Sequence, residues 1–443
     1  MRMRLFAIYV IIGLIGLAER ALPQEQDDPN SVQARAGTQI SDISVNTQHA
    51  TANGLTKPSG WNLAIANSVM TVEDSNVLSS TPPLSDISGH YNSVFMITDS
   101  TKHVEYTAIY SPNLSNYHKL TTLDAIRQNI SQEVAISLPS HTAVEWRLIG
   151  SRSPSWAGAP LAGSMFGQLV MQLTGVNALE LLQNVTSGAS LLSINHRSSL
   201  RKSIELDCAG GISRYRKQST NDIISALTAP DSTTWYNEVS ASYGYSMQSH
   251  KSIGLGVSSA YFRFTAPDSH VLEESVQLHY SQDWASGWNY VAGIGPELHR
   301  SQVRQGGIQL GLSASVGINH KTSRSAFQVQ ISNEYTVQQE QDTLTSWIIT
   351  VSDQHALTQR WFVGDLMHYR RTNTGFGVGY AVNGNRAILD SGISGGYHIT
   401  RNTNWFINYG WSVASGITAT QGTIYRQQLI TGISFDIARV KVH

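Results

Sequence analysis

The stretch Ile308-Gln309-Leu310-Gly311-Leu312-Ser313-Ala314-Ser315-Val316-Gly317-Ile318-Asn319 alternates without a break. Ile308, Leu310, Leu312, Ala314, Val316 and Ile318 fall on one parity. Gln309, Gly311, Ser313, Ser315, Gly317 and Asn319 fall on the other. In an extended strand successive side chains point to opposite sides, so this segment has one apolar face and one small, polar face. A helix would scatter the six apolar residues around its axis.

The same period of two recurs on both sides of this stretch. Val239, Ala241, Tyr243, Tyr245 and Met247 alternate with Glu238, Ser240, Ser242, Gly244 and Ser246. Val104, Tyr106, Ala108 and Tyr110 form another such run, as do Phe327, Val329 and Ile331, and Trp405, Ile407, Tyr409 and Trp411. Brief turn signals such as Thr101-Lys102, Ser249-His250-Lys251 and Asn319-His320-Lys321 separate some runs, and longer polar segments such as 218–232 separate others. Strands are expected near 61–73, 88–99, 103–113, 121–138 and 140–150, then 186–196, 198–214, 232–249, 251–265 and 271–283. The remainder are expected near 286–299, 305–319, 325–336, 342–354, 357–370, 385–399, 402–415 and 423–437. Membrane barrels favour even strand numbers, so 16 or 18 strands are expected. Short turns at one end and long loops at the other fit an all-β, transmembrane, antiparallel up-and-down β-barrel.

The N-terminus is consistent with that reading. Two arginines in residues 1–4 precede the apolar run Leu5–Ala18, too short to span a bilayer and of the length of a cleaved export signal. Residues 1–18 are expected to be a signal peptide, with cleavage as late as residue 21. Residues 19–59 are expected to form a polar mobile tail, and 60–443 the barrel. Beyond Ala18 no apolar stretch approaches the length of a membrane helix, so any bilayer crossing must be made by a closed barrel. A long insertion at about 151–185 breaks the alternation. Phe166, Leu169, Val170 and Leu173 stand there at helical spacing, which reads as a loop folded into the lumen or an outer loop with one short helix.

The composition fits a surface that partly faces lipid. Lys plus Arg is 30 and Asp plus Glu 31, so only 14% of the 443 residues are charged, against about 25% in soluble domains. A formal net charge of -1 without a basic block excludes nucleic acid as the main partner. A single cysteine excludes a disulfide framework. A soluble β-sandwich would alternate too, but its outer face would carry more Lys and Glu than the Ser, Gly, Gln and Asn found here.

No residue pattern points to catalysis. Gly392-Ile393-Ser394-Gly395-Gly396 matches the serine-hydrolase G-x-S-x-G, but it lies inside an alternating strand rather than at a strand-to-helix turn. The sequence shows no H-E-x-x-H and no close His/carboxylate cluster, so neither metal nor cofactor is expected. Cys208 reads as an inert packed thiol. The candidate functional residues are those on the polar parity: Glu105, Glu238, Gln309, Gln328, Gln330 and Glu334 are expected to line a lumen, with Lys251 and Arg263 adding opposite charge. Trp235, Tyr236, Trp288, Tyr290, Trp347, Trp361, Trp405 and Trp411 are expected in the aromatic girdles where lipid meets water.

Some features resemble a loose group of porin-like bacterial outer-membrane β-barrels, certain members of which are encoded beside exopolysaccharide genes. They are Asp74-Ser75-Asn76-Val77, the strand end Val104-Glu105-Tyr106 to Tyr110-Ser111-Pro112, and the Tyr117 loop leading to Asn129 and Leu138. The resemblance covers roughly residues 60–150. It implies a barrel inserted by the outer-membrane assembly machinery, with no assigned chemistry. The C-terminus departs from the group. Such barrels often end on an aromatic residue, whereas here Phe435 is followed by eight more residues, so either the assembly signal sits internally at Phe435 or the last strand is placed differently from 423–437. The expected function is a channel or export component for hydrophilic solutes, saccharides among them. A barrel with a blocked lumen that binds through its loops is one alternative, and a secreted soluble all-β binding protein another.

Overall fold

The computed structural model describes residues 61–77, 83–139, 141–154, 183–217, 232–265, 268–284, 287–301, 308–337, 343–374, 386–400, 402–415 and 423–441. The expected signal peptide, the tail and the helically spaced part of the insertion lie outside the described residues.

The strands are β1 (Asn62–Asp74), β2 (Asp86–Ser100), β3 (Val104–Tyr117), β4 (Ala125–Leu138), β5 (Thr142–Pro154) and β6 (Gln183–Ser199). They continue as β7 (Lys202–Lys217), β8 (Ser232–Gln248), β9 (Lys251–Thr265), β10 (Asp268–Trp284), β11 (Trp288–Ser301) and β12 (Ile308–Lys321). The last six are β13 (Ser325–Val337), β14 (Thr343–Ala356), β15 (Trp361–Thr374), β16 (Arg386–His398), β17 (Thr403–Ser415) and β18 (Ile424–Lys441). Each pairs antiparallel with its neighbours in sequence, and β1 also pairs with β18, so one 18-stranded sheet closes on itself. The expected all-β, up-and-down barrel is thus borne out, with 18 strands rather than 16. The closing pair runs from Asn62 opposite Lys441 to Asp74 opposite Gln428. This full-length match to β1 carries the last strand past Phe435.

Closure leaves no sheet edge, so every strand finds its hydrogen-bond partners within the ring. Strands about 4.8 Å apart and tilted about 40° make an 18-strand ring roughly 36 Å across at the backbone. Four connections at one end share a sequence-coded turn. Thr101, Thr322, Thr358 and Thr400 each donate the backbone N–H to the carbonyl three residues on. The hydroxyls of the first three also accept the N–H of Val104 (3.0 Å), Ser325 (2.9 Å) and Trp361 (3.0 Å). This side-chain mimicry of a turn explains why a single Thr followed by polar residues reverses the chain there. The β10–β11 turn uses Gly287 at φ 82°, where a Cβ would stand 2.3 Å from the Lys321 carbonyl oxygen.

The two faces differ as the alternation demands. On β12, Leu310 is 74% exposed and Leu312 52%, whereas Ser313 is 9% exposed. Exposed outward-facing apolar residues recur around the ring, among them Val69, Ile130, Val239, Leu278, Ile294, Met367, Ile393 and Ile433. A soluble protein rarely leaves so large an apolar belt in water, which overturns the secreted soluble alternative. A closed barrel with an apolar exterior is the architecture of bacterial outer-membrane proteins.

Candidate functional site: the inner wall of the barrel

Residues directly opposite one another in adjacent strands share a face, so the register sorts every side chain. Starting from Ser313, the inner parity passes to Gly295 on β11, to Glu297 and His299 along that strand, and to Ser275 and Glu273 on β10. It continues to Ser258 and Ala260 on β9 and to Ser240 and Glu238 on β8. Small hydroxyls on this face bond across strands: Ser258 to Ser275 (2.7 Å), Ser252 to Ser281 (2.6 Å) and Ser151 to Ser187 (2.6 Å). Gln277 Nε2 donates to Ser313 Oγ at 2.9 Å. These bonds satisfy polar groups that otherwise lie against an apolar wall.

Charged groups on the inner wall include four that are held by close partners. At the closing seam, buried Asp74 accepts hydrogen bonds from Arg426 Nε (3.0 Å) and Nη2 (2.5 Å), Gln428 Nε2 (2.7 Å) and the Asn76 backbone (2.9 Å). One strand pair further on, Asp86 accepts the backbone N–H groups of Ile87, Lys119 and Leu120 at 2.7–3.0 Å, which folds the β3–β4 connection against β2. On β4 and β5, Arg147 lies between Glu133 (2.8 Å) and Glu145 (2.9 Å). On β10 and β11, His299 lies between Glu273 and Glu297. Its Nδ1 is 3.2 Å from one carboxylate and its Nε2 3.4 Å from the other.

The expected lumen candidates distribute as follows. Glu105 pairs with Ser100 and Ala135 at the short-turn end of the inner face. Glu238 stands opposite Ala260 and accepts the Tyr236 hydroxyl. Gln309 is opposite His299, and Gln328 and Gln330 are opposite Ser352 and Thr350. Glu334 is opposite Ser346 in register, and its side chain lies outside the described residues. Lys251 and Arg263, expected inside, are on the outer parity, opposite Gln282 and Trp235. Of the aromatic candidates, Trp235, Trp347, Trp361 and Trp411 project outward and are 39–46% exposed. Trp288, Tyr290 and Trp405 are on the outer parity opposite His320, Ile318 and Ile433, and Trp288 stacks on His320 with ring centroids 4.3 Å apart.

Tyr236 does not belong to that group. Its ring faces inward and packs on Phe262 at 5.1 Å, within a buried patch of Phe262, Phe264 and Val271. Adjacent residues of a strand point to opposite sides, so Trp235 and Tyr236 cannot both face lipid. The Glu273–Glu297–His299 cluster likewise corrects the expectation of no close His/carboxylate group. Its signal was Glu297-Leu298-His299, a spacing of two that puts both side chains on one face of a strand. Cys208 lies in β7 on the outer parity, opposite Val239, and Ser394 of the G-x-S-x-G match lies within β16, donating to the Gly364 carbonyl.

No family model matches the sequence, and no curated protein matches it. Among solved structures the chain is similar to OccK2 (OpdF) of Pseudomonas aeruginosa, at 7% identity and TM-score 0.46, over 85% of this chain and 97% of that one. It is similar to the FrpB iron transporter of Neisseria meningitidis at 5% identity and TM-score 0.45, over 86% and 82% of the two chains. It is also similar to the siderophore receptor PirA of Pseudomonas aeruginosa at 8% identity and TM-score 0.44, over 87% and 81%. At these values nothing about solute or partner passes from those proteins to this one.

Proposed function

We propose that the protein is a porin-like channel of the bacterial outer membrane for hydrophilic solutes, exported through residues 1–18 and acting without catalysis. The observation that carries this reading is the closed ring of 18 strands with an apolar outer parity and an inner parity of Ser, Gly, Gln and Asn. Rings of 16–18 strands are wide enough for an aqueous passage. The inner wall offers hydroxyls and amides, which suit neutral hydroxyl-rich solutes such as saccharides. Its charge is weighted toward carboxylates. Among the described residues Glu205, Asp207, Glu238, Glu273 and Glu297 are on the inward parity of β7–β11, against one Lys or Arg on that parity, Lys217 at the end of β7. Cations are therefore favoured over anions.

Planar-bilayer reconstitution of the purified barrel tests this. Stepwise conductance with cation preference is expected. The preference should grow between 0.1 M and 0.01 M salt, as the screening length rises from about 10 Å to about 30 Å and comes to exceed the lumen radius. Absence of conductance, both for the whole chain and with residues 155–182 deleted, refutes the channel and leaves a blocked barrel that binds through its loops.

A further inference from the structure

We propose that Glu273, Glu297 and His299 form a binding site for a divalent transition-metal ion on the inner wall of the barrel. The ligand-type atoms of these three side chains lie within 4.8 Å of one another. An ion bonded at 2.0–2.2 Å in tetrahedral geometry holds its ligand atoms about 3.4 Å apart. The His299 nitrogens already stand 3.2 Å and 3.4 Å from the two carboxylates, so rotation of the flexible glutamate side chains completes the set.

Register explains why the three meet. Glu273 and His299 are direct cross-strand partners, and Glu297 is two residues from His299 on the same face. Glu238 stands in the same row as Glu273, with only the methyl group of Ala260 between them, and lies within electrostatic reach of it. The imidazole is 1% exposed, whereas Glu297 and Glu273 are 13% and 17% exposed, so the carboxylates keep access to the lumen and the ring lies beneath them.

Charge balance decides between an ion and a simple ion triad. A protonated imidazole between two carboxylates leaves one negative charge uncompensated, and Glu238 adds another. Buried charge without a counterion is costly, and no Lys or Arg is a cross-strand partner of Glu238, Glu273, Glu297 or His299. A dication bound to a neutral imidazole cancels both carboxylates. One nitrogen and two oxygens select a borderline ion of the Zn2+ type over Mg2+ or Ca2+, which take oxygen ligands. This site goes beyond the channel reading, and its test reads metal rather than conductance.

The experiment uses the full chain refolded in detergent, stripped with chelator and titrated with ZnCl2, with CaCl2 as the contrast. Bound zinc is measured by equilibrium dialysis, and the chain is also loaded with Co2+ for its visible spectrum. One tight zinc equivalent per chain is expected, unaffected by excess Ca2+. Co2+ should give the intense absorption of a four- or five-coordinate site. Glu273→Gln and Glu297→Gln, checked as folded by heat-modifiable gel mobility, should each lose that equivalent or bind it at least tenfold more weakly. The proposal is overturned if zinc binding in either folded variant matches the parent within twofold. It is equally overturned if the parent binds no tight zinc or shows only the weak spectrum of octahedral Co2+, a result that needs no variant to fold.

Discussion

Replacing Asp74 by Asn at the closing seam should weaken the barrel far more than the loss of one surface charge would. Asp74 and Arg426 are 6% and 10% exposed at their side chains, so solvent screens their attraction little. Asn keeps the shape of Asp and can still accept one of the bonds from Asn76 or Gln428, but it leaves the Arg426 guanidinium charged and buried without its counterion. Removing one member of a buried pair costs about 3–5 kcal/mol. The lower end of that range is expected, because one face of the amide still bonds. The assay is urea unfolding in detergent, followed by tryptophan fluorescence and compared at constant slope. Asp74→Asn combined with Arg426→Gln removes both charges and should recover part of the loss, because two neutral side chains are cheaper to bury than one unpaired ion. A double-mutant cycle gives the coupling directly. A single-variant loss within about 1 kcal/mol of zero, or a double variant no better than the single, would show that the seam is held by its backbone ladder alone.

Arg147 provides the contrast. Its partner Glu133 is 39% exposed, and the arginine keeps Glu145 when Glu133 is lost. Glu133→Gln should therefore cost less than about 1 kcal/mol in the same unfolding assay, and a cost like that of Asp74→Asn would mean the lumen is much drier at this point than the exposures indicate. On the outer face, Leu312→Arg puts a charge against lipid near the middle of β12, where the cost is about 2–4 kcal/mol. Unfolding should shift accordingly, whereas Gln330→Arg on the inner face should leave stability nearly unchanged and reduce cation preference in the bilayer.

The fold was legible because a strand's parity is a one-residue signal repeated along its length. Even for β10, with its consecutive Glu273 and Glu274, the alternation predicts a strand near 271–283, and the strand spans Asp268–Trp284. Strand number was not legible to better than 16 or 18, because closure is decided by pairing between Asn62 and Lys441, which local alternation does not encode. For the same reason the last strand was expected to stop near 437, although it follows β1 to Lys441. For Tyr236, composition and parity disagree, and parity wins. Aromatic residues near a strand end suggest a girdle, but parity forbids two neighbours from joining it. The charged clusters were hidden for a different reason. Parity tells which face a residue is on, not which residues stand beside it. Asp74 and Arg426 are 352 positions apart and meet only because the ring closes.

The low charge content of the chain follows from this geometry. Half of each strand faces lipid, where an ion is excluded over the central band, and the other half lies on a wall whose backing is apolar. An ion on that wall costs least where it has a partner or water. Three inward-facing arginines have such partners: Arg426 with Asp74, Arg147 with Glu133 and Glu145, and Arg370 with the Ser346 hydroxyl. These arginines lie on β18, β5 and β15, away from the acidic strands β7–β11. With 18 strands in the ring, β18 is diametrically opposite β9, the middle of the acidic sector. Arg426 and Arg147 are therefore neutralised where they stand, while Glu238, Glu273 and Glu297 have no Lys or Arg among their cross-strand partners. The acidic sector thus contributes a negative field inside the barrel. That sector also holds the histidine between two carboxylates, so selectivity among passing ions and retention of one ion on the wall draw on the same few residues.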